Sequence, residues 1–504
     1  MLVVFPTNSV QSLIFDFYID STQGNGDQPQ IMGLFARKTN RNPTSSPLSP
    51  FLVFFSSSFS LPSSSLSSLW HFVEQVDNLA TQTKTIVGYN LKPTPWHEFP
   101  TKKFNNETKI ARASKIIQCS YLSCRSHGLH STTRILYADL MEVKKFASFR
   151  VVIIGGKLYL EYYYDCVQGR AMFMIWGLLQ LLKRHPGRIP DVDFMFDCMD
   201  KPLIQKDAST KPMPIFRYCP TPDHYDIPFP DWSFWEINIA PWQEEFQSIK
   251  QGSQQQRWKK KHPYAYWKGN PDVISPTREA LLMCNDTKHW GALIMRQNWT
   301  QEQLDGFKQS KLSNQCNHRY KIYAEGYAWS VSLKYILSCG CVPLIINPKY
   351  DDFFSRALFP KKDYLPISPD NICPSIKTAV VWGNAHPAKA EAIGKSVQDF
   401  TERLNIDRIY DYMYHLIVEY AKLLDFKPTR PLSALEECAE SLYCFADGHQ
   451  TRFLARSATL PSQSSPCNLP QQANRQVDKF IEEKSKFINS TQLLMQLISL
   501  QTNL

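Results

Sequence analysis

Asp200 lies in the word Cys198-Met199-Asp200-Lys201-Pro202, just beyond an apolar run, Val192–Phe196, that reads as a buried strand. A carboxylate at the end of such a strand faces a crevice and can accept the proton of a hydroxyl. Asp197 is the neighbouring competitor, and each could equally be a structural turn residue. A second set of residues is cationic or hydroxylated. Lys268 follows the short apolar run 264–267 and stands beside Gly269, where backbone can approach a ligand closely. Arg278 opens the helical pattern 278–285, whose first amides also favour an anion. Gly326 precedes Ser330, Ser332 and Lys334, and Ser330 and Lys334 share one helix face. A carboxylate in one half and these groups in the other suit transfer of a glycosyl group from a nucleotide diphosphate. The base takes the acceptor proton, the cations neutralise the departing diphosphate, and a cleft holds both substrates in line.

Each feature has a plainer reading. A solvated charge explains any one of Lys268, Arg278 or Lys334, but three cations near element ends in one half shift the balance. Asp231, Trp232 and Trp235, within FPDWSFW (229–235), fit a sugar platform and a core corner equally well. His224 and His318 are lone histidines, a pattern more common in structural roles. No Cys-x-x-Cys pairs with a second such motif, and no Asp-x-Asp falls where it could hold a nucleotide's metal. The chemistry is therefore expected to need no metal and no resident cofactor.

The elements that must position these residues follow an α/β grammar. Phe149–Ile154 and Lys157–Tyr162 flank Gly155-Gly156, which signals a β-hairpin. Arg170–Arg184 carries a helical stripe of Met174, Leu178, Leu181 and Leu182, and it closes at Pro186-Gly187. Val192–Phe196 completes strand, helix, strand. The second half repeats the pattern: a strand at 264–267, a helix from 278, an extended segment at 321–323, a helix at 330–337 and the strand Val342–Ile346. Long amphipathic helices are expected at 388–404 and 410–424, and a last one near 477–500.

Composition agrees with a globular chain. Of 504 residues, 43% are hydrophobic and 20% charged, with a net charge of +10. Part of that excess sits in Arg257-Trp258-Lys259-Lys260-Lys261, which reads as a solvated face. No nucleic-acid-binding module accompanies it, so nucleic acid is not an expected partner. The 13 cysteines and the sequons at Asn106, Asn285, Asn298 and Asn489 favour the lumen of the secretory pathway. Cys339 and Cys341 would share one face if that segment were a strand. No apolar run reaches the length of a spanning helix.

Five words carry a resemblance: FDCMDKP (196–202), FPDWSFW (229–235), YAYWKGNP (264–271), QCNHRYKIYAEGYAWSVSLKYILSCG (315–340) and YDYMYHLIVEYAKLL (410–424). Over residues 86–467 the chain resembles the plant branch of the Rumi-like protein O-glucosyltransferase family. That family includes capsule-associated xylosyltransferases and KDEL-motif-containing lumenal proteins. The resemblance implies an α/β, GT-B-like fold: two Rossmann-like lobes facing a cleft, with C-terminal bracing helices. Composition divides the chain into a Ser-, Pro- and Asn-rich region at 1–82 that reads as poorly ordered, two α/β halves at 83–250 and 251–427, and a Pro/Ser/Gln-rich tail at 428–504; the resemblance makes the first half the acceptor-side lobe and the second the UDP-sugar lobe. It further implies inverting, metal-independent transfer from UDP-glucose or UDP-xylose to a protein or polysaccharide hydroxyl. Asp200 matches the family's base, and Lys268, Arg278 and the segment 326–334 match the surroundings of UDP. A membrane anchor and an endoplasmic-reticulum or Golgi location belong to relatives, although this chain shows no anchor. Three departures stand out: Ser332 aligns with an arginine of animal relatives, and the chain is shorter after Trp235 and between Cys124 and Phe149. They leave open an alternative, a decayed member that binds glycan or protein.

Overall fold

The computed structural model describes residues 134–206, 213–235, 240–467, 479 and 482–491, together with three short strands near the start of the chain. Those strands are β1 (Leu2–Phe5), β2 (Leu13–Phe17) and β3 (Leu34–Lys38), an antiparallel sheet within a unit of residues 1–88. The Ser-, Pro- and Asn-rich composition of this region predicts no regular structure there. Each strand is a short run rich in apolar residues, enough for a ladder between polar connections. The rest of the 1–82 expectation lies outside the described residues.

Residues 89–504 form the second unit, which holds two sheets. The first comprises β4 (Phe149–Ile154), β5 (Lys157–Tyr162), β6 (Val192–Phe196), β7 (Ile215–Arg217), β8 (Ile227–Pro228) and a late strand, β14 (Leu435–Glu437). Their order is β14-β5-β4-β6-β7-β8. The β4–β5 hairpin closes at Ile154↔Lys157, with φ of +58° at Gly155 and +78° at Gly156. A two-residue hairpin turn of this hand requires positive φ at both positions, hence the paired glycines. The helix Arg170–Arg184 buries Phe173, Met174, Trp176, Leu178 and Leu181 in the core of this lobe.

The second sheet is parallel throughout. Its strands are β9 (His262–Gly269), β10 (Ala292–Arg296), β11 (His318–Tyr323), β12 (Val342–Ile346) and β13 (Leu365–Ile367), in the order β10-β9-β11-β12-β13. Strand β9 is longer than the expected 264–267 because it is paired on both sides. His262 lies opposite His318, Lys268 opposite Met295 and Gly269 opposite Arg296. Ladder bonds thus extend the strand through residues whose own pattern is polar. The fold is a mixed α/β structure of the GT-B-like kind.

The bracing helices form, and the last of them crosses back. Pro387–Glu402 packs on the parallel-sheet lobe, whereas Ile406–Ala421 packs on the first lobe. There Tyr420 meets Phe216 at 5.0 Å, and the Tyr412 hydroxyl donates to the Pro228 carbonyl at 2.7 Å. Residues after 428 differ from the expected tail. Strand β14 extends the first sheet antiparallel to β5, and Lys157 reaches Glu436 at 2.8 Å. The helices Ala439–Phe445 and Gly448–Arg456 then set Tyr443 against Trp176 and Phe453 against Phe173. A three-residue edge strand leaves little periodic signal, and its place depends on a partner far upstream. The expected 477–500 helix is seen at residues 482–491.

Disulfides join Cys166–Cys198, Cys284–Cys373 and Cys316–Cys339. Cys339 and Cys341 do not share a strand face. Cys339 ends the helix Ser332–Ser338, Gly340 turns the chain with φ of +62°, and Cys341 precedes β12 as a buried thiol.

Candidate active site

Beyond β6 the chain runs through Asp197 to Pro202, and the two aspartates of this loop part company. Asp197 is fully buried. It accepts from the hydroxyls of Ser148 (2.8 Å) and Tyr164 and pairs with Arg217 on β7. It bolts strands together and has no access to a substrate. Asp200 is half-buried, with its side chain 30% exposed. Its Oδ1 pairs with Arg170, and its carbonyl accepts from the Cys219 thiol at 3.1 Å. The Arg170 guanidinium lies 4.1 Å from the Trp232 ring. Of the two candidates, only Asp200 can meet an acceptor.

The carboxyl ends of β9, β11 and β12 gather the second set. Ser275 caps the helix Pro276–Leu282, with proline in its first turn, and its hydroxyl donates to the Glu325 carbonyl at 2.8 Å. Arg278 is thereby brought over the end of β11. Its guanidinium donates to the carbonyls of Asn270 (2.8 Å), Ala324 (3.2 Å) and Glu325 (3.1 Å). Among the described residues no carboxylate is in ion-pair contact with it, and burial lowers its pKa. Gly326 lies directly against it: a Cβ there would come within 3.2 Å of the guanidinium. The Ser330 and Ser332 hydroxyls are 2.9 Å apart, and the Ser330 amide donates to the Tyr323 hydroxyl at 3.0 Å.

The lobes meet at these loops. Lys201 stands 4.0 Å from the Tyr327 ring centre. Trp329 packs on Tyr218 at 5.4 Å and on Trp232 at 5.9 Å. Asp200, Arg278, Gly326, Ser330 and Ser332 are thus brought to one junction.

Other expected site residues are placed elsewhere. Lys268 is buried at the end of β9 and pairs with Glu302 at 2.5 Å. Gly269 serves packing: a Cβ there would strike the Trp267 ring at 2.6 Å. Lys334 is 1% exposed, bonds the Ser233 hydroxyl and lies 3.8 Å from Asp231. It ties the helix Ser332–Ser338 to the turn Trp232–Phe234 in the interior, where burial lowers its pKa. Asp231 caps that turn, accepting from the Ser233 amide at 2.9 Å. Trp235 is a core corner rather than a platform: it is fully buried, and its indole N–H donates to the Tyr410 hydroxyl at 2.9 Å. Trp232 alone of these aromatics keeps partial exposure. His318 is buried against Tyr266, and burial with neighbouring cations pushes its pKa down to about 3. His224 bonds Thr221 at 2.7 Å. In the basic run Lys259 and Lys260 are exposed, but Lys261 is buried beside Cys341. Asn285, Asn298 and Asn489 are exposed, and Asn106 lies outside the described residues.

Two buried acids escaped the sequence reading. Glu325 accepts from the amides of Lys349 (3.0 Å) and Tyr350 (2.9 Å), and burial pushes its carboxyl up to about 7. Asp352, beside Asp231 and Lys334, is likewise pushed up to about 7 by burial. Glu325 stands two residues past β11, in a word already singled out, which was the one available signal. Among the described residues no cluster of three or more His, Cys, Asp or Glu gathers to hold a metal, and no helix is long and apolar enough to cross a membrane.

The model of glycosyl transferase family 90 matches residues 127–494. Protein O-glucosyltransferase 1 of Bos taurus is 25% identical over 297 residues, 55% of this chain and 73% of that protein. The O-glucosyltransferase rumi homolog of Anopheles gambiae is 22% identical over 352 residues, 65% of this chain and 87% of that protein. Protein O-glucosyltransferase 2 of Danio rerio is 25% identical over 297 residues, 55% of this chain and 56% of that protein.

Proposed function

Because the chain belongs to glycosyl transferase family 90, we propose that this glycosyltransferase moves glucose or xylose from a UDP-sugar to a hydroxyl of a protein or polysaccharide. Asp200 takes the acceptor proton as the hydroxyl oxygen attacks the anomeric carbon. The bond from that carbon to the diphosphate breaks on the opposite face, and UDP leaves with the electron pair, so the configuration inverts. Arg278 and the hydroxyls of Ser330 and Ser332 stabilise the negative charge that develops on UDP. No metal is needed, because the guanidinium supplies the positive charge. The observation that carries this reading is a partly exposed carboxylate in one lobe and, in the other, a guanidinium that among the described residues donates to backbone carbonyls, with Lys201 beside the first and Tyr327 beside Gly326 in contact. The compartment we propose is the secretory lumen, which the three disulfides and the exposed sequons support.

The test is UDP release from UDP-glucose and UDP-xylose, in EDTA, by the unaltered chain and by Asp200→Asn. Turnover of one donor, lost in Asp200→Asn with UDP affinity kept, is expected. Loss of UDP affinity in that variant would make Asp200 structural, and a strict metal requirement would overturn the metal-free step.

A further inference from the structure

We infer that Arg170 is the positioning residue of the proposed base, and that the disulfide Cys166–Cys198 holds the two on one frame. The inference rests on the reading of Asp200 as base and extends it to a residue outside the five words above.

Arg170 opens the helix Arg170–Arg184 and is only 8% exposed. Among the described residues, three kinds of contact hold its guanidinium. It pairs with Asp200 Oδ1, donates to the Cys198 carbonyl at 3.4 Å, and lies 4.1 Å from the Trp232 ring. Trp232 is itself pinned edge-on by Tyr218 at 5.0 Å and Trp329 at 5.9 Å. The backbone on both sides of the ion pair is also tied. Cys166 stands four residues before Arg170, Cys198 two before Asp200, and the two cysteines are bonded.

A carboxylate on a loop can turn about its side-chain bonds, and most of those orientations are useless to an incoming hydroxyl. An arginine fixed by a ring, a carbonyl and a covalent tether removes that freedom. It occupies Oδ1 and leaves Oδ2, which no described hydrogen bond engages, for the acceptor. Lysine cannot substitute. Its ammonium is a point charge with no planar face to lie on Trp232.

The test uses the full chain and whichever of UDP-glucose and UDP-xylose it hydrolyses. Arg170→Lys is expected to lower kcat about 100-fold, the scale of a misplaced reacting group, with Kd for UDP unchanged. Added guanidinium ion should restore part of the turnover of Arg170→Ala. Unaltered kcat in Arg170→Lys, beside a dead Asp200→Asn, would overturn the role of Arg170 alone. So would a parallel loss of UDP affinity, which marks a packing residue. An active Asp200→Asn, or no turnover of either donor by the unaltered chain, would remove the base and this inference with it.

Discussion

Asp200 in one lobe and Arg278 in the other carry opposite charges, and different kinds of partner hold them. Asp200 is met by a side-chain cation, Arg170, so much of its charge is matched before any substrate arrives. Arg278 is met by backbone carbonyls of Asn270, Ala324 and Glu325, which orient it without cancelling its charge. The difference shows how an enzyme can prepare for an anion. Carbonyl dipoles fix a guanidinium in place, and the uncancelled positive charge remains for a diphosphate. Lys268 and Lys334 take the opposite course. Each is buried against an acid, Glu302 or Asp231, and each serves structure.

That contrast can be broken at four places. The largest effect is expected on stability in Lys268→Ala, which leaves Glu302 without its cation. Removing one partner of such a pair costs about 3–5 kcal/mol, so chemical denaturation should show a large loss. A stable variant with weakened UDP binding would return Lys268 to the donor site. Next comes Arg278→Ala. Loss of a charged hydrogen-bonding group, about 1.5–3 kcal/mol, predicts UDP binding weaker by roughly 10- to 100-fold in calorimetry. Unchanged affinity would mean that its charge is spent on the fold. Third, Trp235→Phe loses the bond to Tyr410 and leaves that hydroxyl buried. A cost of about 1–3 kcal/mol in stability is expected, with KM for the donor unchanged. A raised KM would restore the platform role.

The smallest effect concerns pH. Glu325 has its pKa raised by burial from 4.5 to about 7. The folded chain therefore holds a proton there that the unfolded chain has released, and stability falls as pH rises from about 4.5 to 7. Glu325→Gln should remove this slope. Its melting temperature should exceed that of the unaltered chain at pH 8, and the gap should close at pH 4.5. No gap at pH 8 would mean that the Lys349 and Tyr350 amides fully compensate the carboxylate.

Much of the fold was legible locally. The hairpin around Gly155-Gly156, the helix Arg170–Arg184 and the strands Val192–Phe196 and Val342–Ile346 appear with the expected bounds. Each is a run whose apolar period or turn residues are complete in themselves. Elements that depend on partners were less legible. The polar ends of β9 are strand only because β10 and β11 pair with them, and β14 exists only on the edge of β5. The site divides in the same way. Asp200 at a strand end, and Arg278 near a helix start capped by Ser275, could be read from order along the chain.

By itself, then, the sequence determined which residues stand at the ends of which elements, and the words that mark its family. Periodicity, caps and turns act between neighbours, so they survive in a one-dimensional reading. Tertiary structure decided which charges stay available. Arg170 and Asp200 are 30 residues apart, Lys334 and Ser233 are 101 apart, and Trp235 and Tyr410 are 175 apart. Such partners are chosen by which surfaces meet when the chain folds. Burial then sets the cost of leaving a charge alone, and no spacing along the chain carries that information.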